Sequence, residues 1–412
     1  MSATVHTDTS TTVTTVTTFT PATALTARWH SENGTPPPGR VVLADDRLRA
    51  DAAHHVASEG TALLWQGDYH GARQLLSALA RRAEREARGQ RTAGPATPGQ
   101  AFREQRRDRA RTAGLLGRLV VQLEADHALL LRRAPDVRQA CREAYGPPDG
   151  PRVVALRELL GALGARQWRE RGVRVPALGA RVHPHYGVFA PVRGEYVDLV
   201  ARAPLPAAAL GSGTSPGPKG AGVSGTAFDL GTGTGVLAAV LARRGVGQVL
   251  VTDLNPRALV CARDNARRLG LTDRIRPAGG GLYPPGGRRA GLVVCNPPWL
   301  PAEPTSALEQ GVYDSGGRML HGFLDGLAER LAPGGEGWLV LSDLAEHLGL
   351  RSRADLHTAF AAAGLRVVGR LDARPRHPRA TGASRRTGVR GGDPLGAARA
   401  AEVTSLWRLA PT

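Results

Sequence analysis

Lysine is almost missing from this chain. Lys219 is the one lysine, and every other of the 54 basic residues is arginine. With 36 acidic residues the formal net charge is +18, which suits an anionic partner. So much arginine beside 52 glycines and 30 prolines is also what a GC-rich coding sequence produces, and the charge excess alone assigns no function. Cysteine is scarce too. Cys141, Cys261 and Cys295 lie far apart, which excludes a Cys-x-x-Cys zinc site and suggests a reducing compartment; all three read as small buried residues. No stretch approaches the roughly 20 apolar residues that would span a bilayer. The first 27 residues are Thr-rich and lack a basic start followed by an apolar block, so they do not resemble a secretory signal. A cytoplasmic protein with no membrane partner is the expectation.

What is present suffices for a large core. At 412 residues and 42% hydrophobic content the chain allows two or three domains. Residues 1–38, Thr-rich and closed by Pro36-Pro37-Pro38, read as a disordered tail. Residues 39–175 read as a helical domain: Leu63, Leu64, Ala72, Leu75, Leu76 and Leu79 recur at helix spacing, as do Leu115, Leu116, Leu119, Leu123 and Leu130. Arg103, Arg106, Arg107, Arg109 and Arg111 form a basic run there, for which a solvated helix face is the commoner explanation. From about residue 181 strands and helices alternate, with a connector over residues 210–225 and a capping box at Ser352 and Asp355.

Two motifs in this second half carry chemistry. Phe228-Asp229-Leu230-Gly231-Thr232-Gly233-Thr234-Gly235 is a short apolar strand running into alternate glycines, followed by a helical pattern. Glycines let a backbone approach a ligand where any Cβ would clash, and they permit positive φ. The spacing differs from the G-x-G-x-x-G of NAD and FAD sites and favours a cofactor without a pyrophosphate. Val249-Leu250-Val251-Thr252-Asp253 reads as the next strand, ending in a carboxylate placed to accept from ribose hydroxyls. Downstream, the apolar run 292–295 ends in Asn296-Pro297-Pro298-Trp299. The Asn296 side-chain carbonyl and the Pro297 main-chain carbonyl can accept both protons of an amide or aromatic amino group and turn its lone pair toward an electrophile. Proline stiffens the loop, and Trp299 offers a flat face for stacking.

Together Asp229 to Gly235, Asp253 and Asn296 to Trp299 resemble a class I S-adenosylmethionine-dependent methyltransferase of the Asn-Pro-Pro-aromatic branch. That branch includes release-factor glutamine methyltransferases and small-domain rRNA N-methyltransferases. The resemblance spans residues 181–412 and implies a doubly wound α/β fold: a seven-stranded, mostly parallel sheet closed by an antiparallel last strand, preceded here by the helical domain. It implies S-adenosylmethionine as cofactor, held by Asp229, Gly231, Thr232, Gly233, Gly235, Asp253, Leu254 and Asn296, and catalysis by Asn296, Pro297 and Trp299, with no metal. It implies a macromolecular substrate recognised through residues 39–175, either a glutamine of a release factor or ribosomal protein, or an RNA base. Ala307-Leu308-Glu309-Gln310-Gly311 is similar to a segment of the glutamine enzymes.

The chain departs from the family pattern twice. Gly279-Gly280-Gly281 stands where an acid usually faces adenine, which leaves adenine to backbone groups or to Leu282, and Gly291 stands where an Asp often opens the fourth strand. His183 and His185 read as part of a substrate-side lid rather than a metal site. Arg374, Arg376, His377, Arg379, Arg385, Arg386 and Arg390 form a basic arm before the last strand that suits RNA, although no aromatics interleave with it. A small-molecule N-methyltransferase and a non-catalytic binding module that kept the fold are the alternatives.

Overall fold

In a computed structural model of the chain, residues 2–4, 15–20, 23–89, 97–210, 225–304, 308–375 and 394–412 are described. They divide into two compact units. Met1–Gly94 with Arg103–Gln167 make the first, and Pro95–Phe102 with Trp168–Thr412 make the second.

The first unit holds the expected helices, but they accompany a sheet. Its strands are β1 (Ser2–Thr4), β2 (Thr15–Thr20), β3 (Thr23–Trp29), β4 (Arg40–Ala44), β5 (Ala62–Trp65), β6 (Leu119–Leu123) and β7 (Arg152–Ala155). They pair in the order β1-β4-β5-β6-β7-β3-β2, with β4, β5 and β6 parallel. The helices are α1 (Ala50–Ser58), α2 (Tyr69–Gly89), α4 (Arg138–Tyr145), and the parts of α3 (Pro98–Leu116) from Arg103 and of α5 (Leu156–Arg171) up to Gln167.

Two expectations are corrected here. The stretch read as a disordered tail contributes three strands, β2 and β3 pairing antiparallel through the Thr-rich segment. Leu63, Leu64, Leu119 and Leu123 sit on strands instead of helices, and Leu130 is 76% exposed. The cause is physical. A parallel strand buried on both faces is a short unbroken apolar run, and over four or five residues such a run cannot be told from a helix stripe. Ala72, Leu75 and Leu79 do form the buried stripe of α2.

The second unit has the expected doubly wound form. After a small hairpin, β8 (Val173–Val175) with β9 (Ala180–Val182), come β10 (Thr226–Leu230), β11 (Gln248–Thr252), β12 (Ile275–Pro277), β13 (Ala290–Cys295), β14 (Leu331–Ser342), β15 (Leu365–Ala373) and β16 (Thr404–Pro411). The order is β12-β11-β10-β13-β14-β16-β15. Strands β10 to β14 are parallel to one another, and β16 runs antiparallel between β14 and β15.

Helices cover both faces: α6 (Glu195–Arg202), α7 (Val236–Arg243) and α8 (Pro256–Arg268) on one, α9 (Arg318–Arg330) and α11 (Arg353–Ala362) on the other. The short α10 (Leu344–His347) and α12 (Pro394–Ala401) complete the set. Strand alternation explains the two cores. On β13, Leu292 and Val294 pack with Val240 of α7, whereas Val293 and Cys295 pack with Phe323 of α9. Each such fully buried Leu, Val or Phe side chain stabilises by about 1.5–3 kcal/mol.

Gly291 on β13 is there for space. A Cβ at this position would collide with the backbone of Ala208 and Ala209, which pack directly on the strand. The departure from the family pattern at Gly291 is thus a close backbone approach. The Ser352–Asp355 capping box opens α11 as expected, Asp355 N–H donating to Ser352 Oγ at 3.0 Å and Ser352 N–H to Asp355 Oδ2 at 2.9 Å. Arg376, His377, Arg379, Arg385, Arg386 and Arg390 of the basic arm, and Ala307, lie outside the described residues.

Candidate active site

The glycine turn and the Asn-Pro-Pro-Trp loop leave the sheet side by side. Leu230 ends β10, Cys295 ends β13, and the two pair in parallel register. Gly231 and Asn296 follow them directly, at the carboxyl edge of the sheet where ligands of open α/β folds bind.

Gly231, Gly233 and Gly235 have φ of +67°, +54° and +78°, left-handed values that other residues rarely adopt. Two of them also permit close packing. A Cβ on Gly231 would strike Met319 Cε, and one on Gly235 would lie 3.0 Å from Ala262 Cβ of α8. Asp229 is 1% exposed and braces the turn from beneath: its Oδ2 accepts from Thr232 Oγ1 at 2.7 Å and from Ala238 N–H at 3.0 Å. Thr232 is buried as well, with its N–H donating to Thr252 O at 3.0 Å. Burial pushes the Asp229 carboxyl up to about 6, and the charge of Asp253 pushes the same way.

Asp253 follows β11. Its Oδ2 accepts from Gly233 N–H at 2.9 Å and its Oδ1 from Asn255 N–H at 2.8 Å, so the carboxylate fixes the glycine turn and the start of α8 together. Each oxygen retains a second lone pair, as a ribose diol requires. Burial raises this carboxyl above the usual range, with the two backbone donors opposing it. Leu254 beside it is 80% exposed, an apolar surface of the kind an adenine face covers. Asn255 caps α8 by accepting from Arg257 N–H at 3.0 Å. Near Gly279-Gly280-Gly281 the Leu282 carbonyl is taken up by Thr252 Oγ1, at 2.6 Å.

In the second loop, Trp299 Nε1–H donates to Asn296 Oδ1 at 2.8 Å. The Arg193 guanidinium covers a face of the Trp299 ring, 4.8 Å from its centroid. Arg193 in turn donates to Glu195 Oε1 at 2.5 Å and to Glu402 Oε1 at 2.9 Å, and Ser342 Oγ donates to Glu402 Oε1 at 2.6 Å. The sequence singled out none of Arg193, Glu195, Ser342 and Glu402. Arg193 and Glu402 are 209 residues apart, and no local pattern pairs them.

The histidines are structural ties. His183 Nδ1 lies 2.6 Å from Arg169 O, His183 N–H donates to Asn265 Oδ1 at 2.8 Å, and His185 Nε2 lies 3.3 Å from Asp264 Oδ2. Among the described residues no cluster of three or more His, Cys, Asp or Glu could hold a metal, and no helix is long and apolar enough to cross a membrane. All three cysteines are buried free thiols, with Cys141 and Cys261 pushed up to about 12 by burial.

Residues 218–364 match the methyltransferase small domain. The match takes in the glycine turn, Asp253 and the Asn-Pro-Pro-Trp loop, the motifs on which the resemblance rests, and S-adenosylmethionine is the methyl donor that methyltransferases of this kind use. The chain is similar to the release factor glutamine methyltransferase of Cereibacter sphaeroides, 32% identical over 163 residues, or 37% of this chain and 57% of that protein. It is 39% identical to the Moorella thermoacetica enzyme of the same name over 118 residues, or 28% of this chain and 42% of that one. Over 72 residues it is 43% identical to the ribosomal protein L11 methyltransferase of Pelotomaculum thermopropionicum, 18% of this chain and 23% of that protein. The chain therefore spans between about a quarter and three fifths of these relatives' lengths.

The residues of the matched stretch fit S-adenosylmethionine on their own geometry. Three alternate left-handed glycines shape the turn, the Asp253 carboxylate stands twenty residues beyond Gly233 and is bonded to it, and Leu254 beside it is exposed.

Proposed function

We propose that the protein is an S-adenosylmethionine-dependent N-methyltransferase acting on a planar amide or exocyclic amino nitrogen of a macromolecule. The observation that carries this reading is the parallel Leu230–Cys295 pair, which sets the Asn296 loop beside the glycine turn. When bound, S-adenosylmethionine supplies a methyl group already activated on a sulfonium. The protein's work is then alignment, since an in-line displacement needs the acceptor lone pair aimed at the methyl carbon and the proton can leave afterwards. Gly231, Thr232, Gly233 and Gly235 with Asp229 beneath would shape the cofactor cradle, Asp253 would accept from the ribose and Leu254 would cover the adenine. Asn296 Oδ1 and the Pro297 carbonyl would accept the acceptor's N–H groups, and the part-buried Trp299 ring would meet its plane.

A protein glutamine is the favoured acceptor. Both release-factor relatives are named for glutamine methylation, and Ala307-Leu308-Glu309-Gln310-Gly311 after the loop is similar to the Ala-Leu-x-x-Gly segment of that branch. RNA contact by arginines is the competing reading, and either substrate would make this a cytoplasmic enzyme of the translation machinery. The first unit is assigned substrate recognition. A non-catalytic module loses part of its motivation, because Gly291 is accounted for by the backbone of Ala208.

The test is transfer of tritiated methyl from S-adenosylmethionine into fractionated cell extract. Label in a protein fraction that survives nuclease supports the favoured acceptor. Nuclease-sensitive label moves the substrate to RNA, label in the small-molecule fraction removes the macromolecular reading, and no cofactor binding in titration calorimetry removes the function altogether.

A further inference from the structure

The hydrogen bond between the two ends of the Asn-Pro-Pro-Trp loop sets a direction for the Asn296 side chain. A carboxamide is nearly the same shape either way round, so its hydrogen bonds decide which end faces where. The indole N–H is a donor and never an acceptor. At 2.8 Å from Asn296, in a part-buried setting, it is satisfied only when Oδ1 faces it; a flipped amide would bring Nδ2 there and oppose two donors. Oδ1 then keeps one lone pair for an acceptor N–H.

We propose that Trp299 is a positioning residue which locks the Asn296 carboxamide with its oxygen toward the acceptor nitrogen, and that Arg193 clamps the ring in place. This rests on the N-methyltransferase reading above.

The clamp is built from three parts of the chain. Arg193 lies just before α6, Ser342 ends β14 and Glu402 precedes β16. The Glu195 and Glu402 side chains are 1% and 3% exposed, so the guanidinium is tied by two charge-assisted bonds to carboxylates with little freedom to move. Turning the Trp299 ring would strip its cation partner, and moving that partner would leave two buried carboxylates without their shared cation. A bare stacking surface for a substrate ring needs neither the indole N–H nor this buried scaffold. Phenylalanine would provide the surface.

Trp299→Phe separates the two roles, because it keeps a flat ring and deletes the donor. In the extract fraction that the wild-type protein labels, the lock requires kcat to fall ~100-fold, the size of a positioning loss, with S-adenosylmethionine affinity unchanged. Wild-type kcat in Trp299→Phe overturns the lock.

A second measurement needs neither substrate nor a folded phenylalanine variant. In the full chain, the Trp299 indole proton, assigned through its contacts to Asn296 and Arg193, should exchange slowly with solvent. It should lose that protection in Asn296→Ala and in Arg193→Gln. Fast exchange in the wild-type protein, or protection that persists in both variants, overturns the proposal. If the wild-type protein labels nothing, the methyl-transfer reading fails, and the indole proton still decides whether the lock exists.

Discussion

Gly233 and Asp253 stand twenty residues apart and are joined directly, Gly233 N–H donating to Asp253 Oδ2 at 2.9 Å. The glycine turn after β10 and the acid after β11 are thereby one construction, and the shape of the turn depends on the acid that is also proposed to hold the ribose.

Asp253→Ala should accordingly do more than delete a ligand contact. Loss of a hydrogen bond to a charged group costs about 1.5–3 kcal/mol, and S-adenosylmethionine affinity should fall by at least that much. Asp253→Asn keeps an oxygen that can accept from Gly233 and should fall between the two. Titration calorimetry on the three proteins checks this, and equal affinities would remove Asp253 from the cofactor site.

Asn296→Ala tests the other loop. It deletes the proposed acceptor of the substrate N–H while leaving Asp253 and the glycine turn intact. Turnover should drop by ~10²-fold or more, as for a lost positioning contact, with cofactor affinity nearly unchanged. Turnover at the wild-type level would sink the mechanism.

The second unit was legible in the sequence because its signals are local. Strand, turn and helix follow one another at Phe228 to Arg243, the Asn255-Pro256 start of α8 is a cap bonded as expected, and β13 runs straight into Asn296. The first unit was misread where signals are short. Leu63 and Leu64 lie on a four-residue strand buried at every position, which shows no alternation at all. The Arg193–Glu402 contact was out of reach for a different reason: it exists only once β14 and β16 have paired, and each residue alone resembles an ordinary surface charge.

Gly291→Ala is a test of packing. The added methyl has no flexible side chain to displace, since what it would strike is the backbone of Ala208 and Ala209 against β13. Overpacking of this kind costs typically about 1–3 kcal/mol, so the urea midpoint of Gly291→Ala should drop with little change in slope. Gly194→Ala has open space around its Cβ and serves as the control. A Gly291→Ala protein as stable as wild type would show that the segment at Ala208 can move away freely.

The buried Asp229 carboxyl and the half-buried Asp253 give cofactor binding a pH dependence with a definite sign. Asp229 is held up to about 6 by burial, against the opposing hydrogen bonds from Thr232 and Ala238 and with a smaller push from Asp253, and burial raises Asp253 in the same direction. A carboxyl raised in the folded state binds its proton there more tightly than in the unfolded chain. Its contribution to stability is fully present below the ordinary carboxylate range and is lost as pH rises through about 6. S-adenosylmethionine carries a net positive charge, which favours the ionised carboxylates and lowers their pKa when it binds nearby. Affinity for the cofactor should therefore rise from about pH 5 to about pH 7 while the ligand-free protein loses stability over the same interval. Asp229→Asn, which cannot ionise, should flatten both curves. Calorimetric titration and thermal unfolding across that range measure the two slopes; a cofactor affinity that falls with pH, or one equally steep in Asp229→Asn, would show that the carboxyl beneath the glycine turn does not sense the ligand's charge.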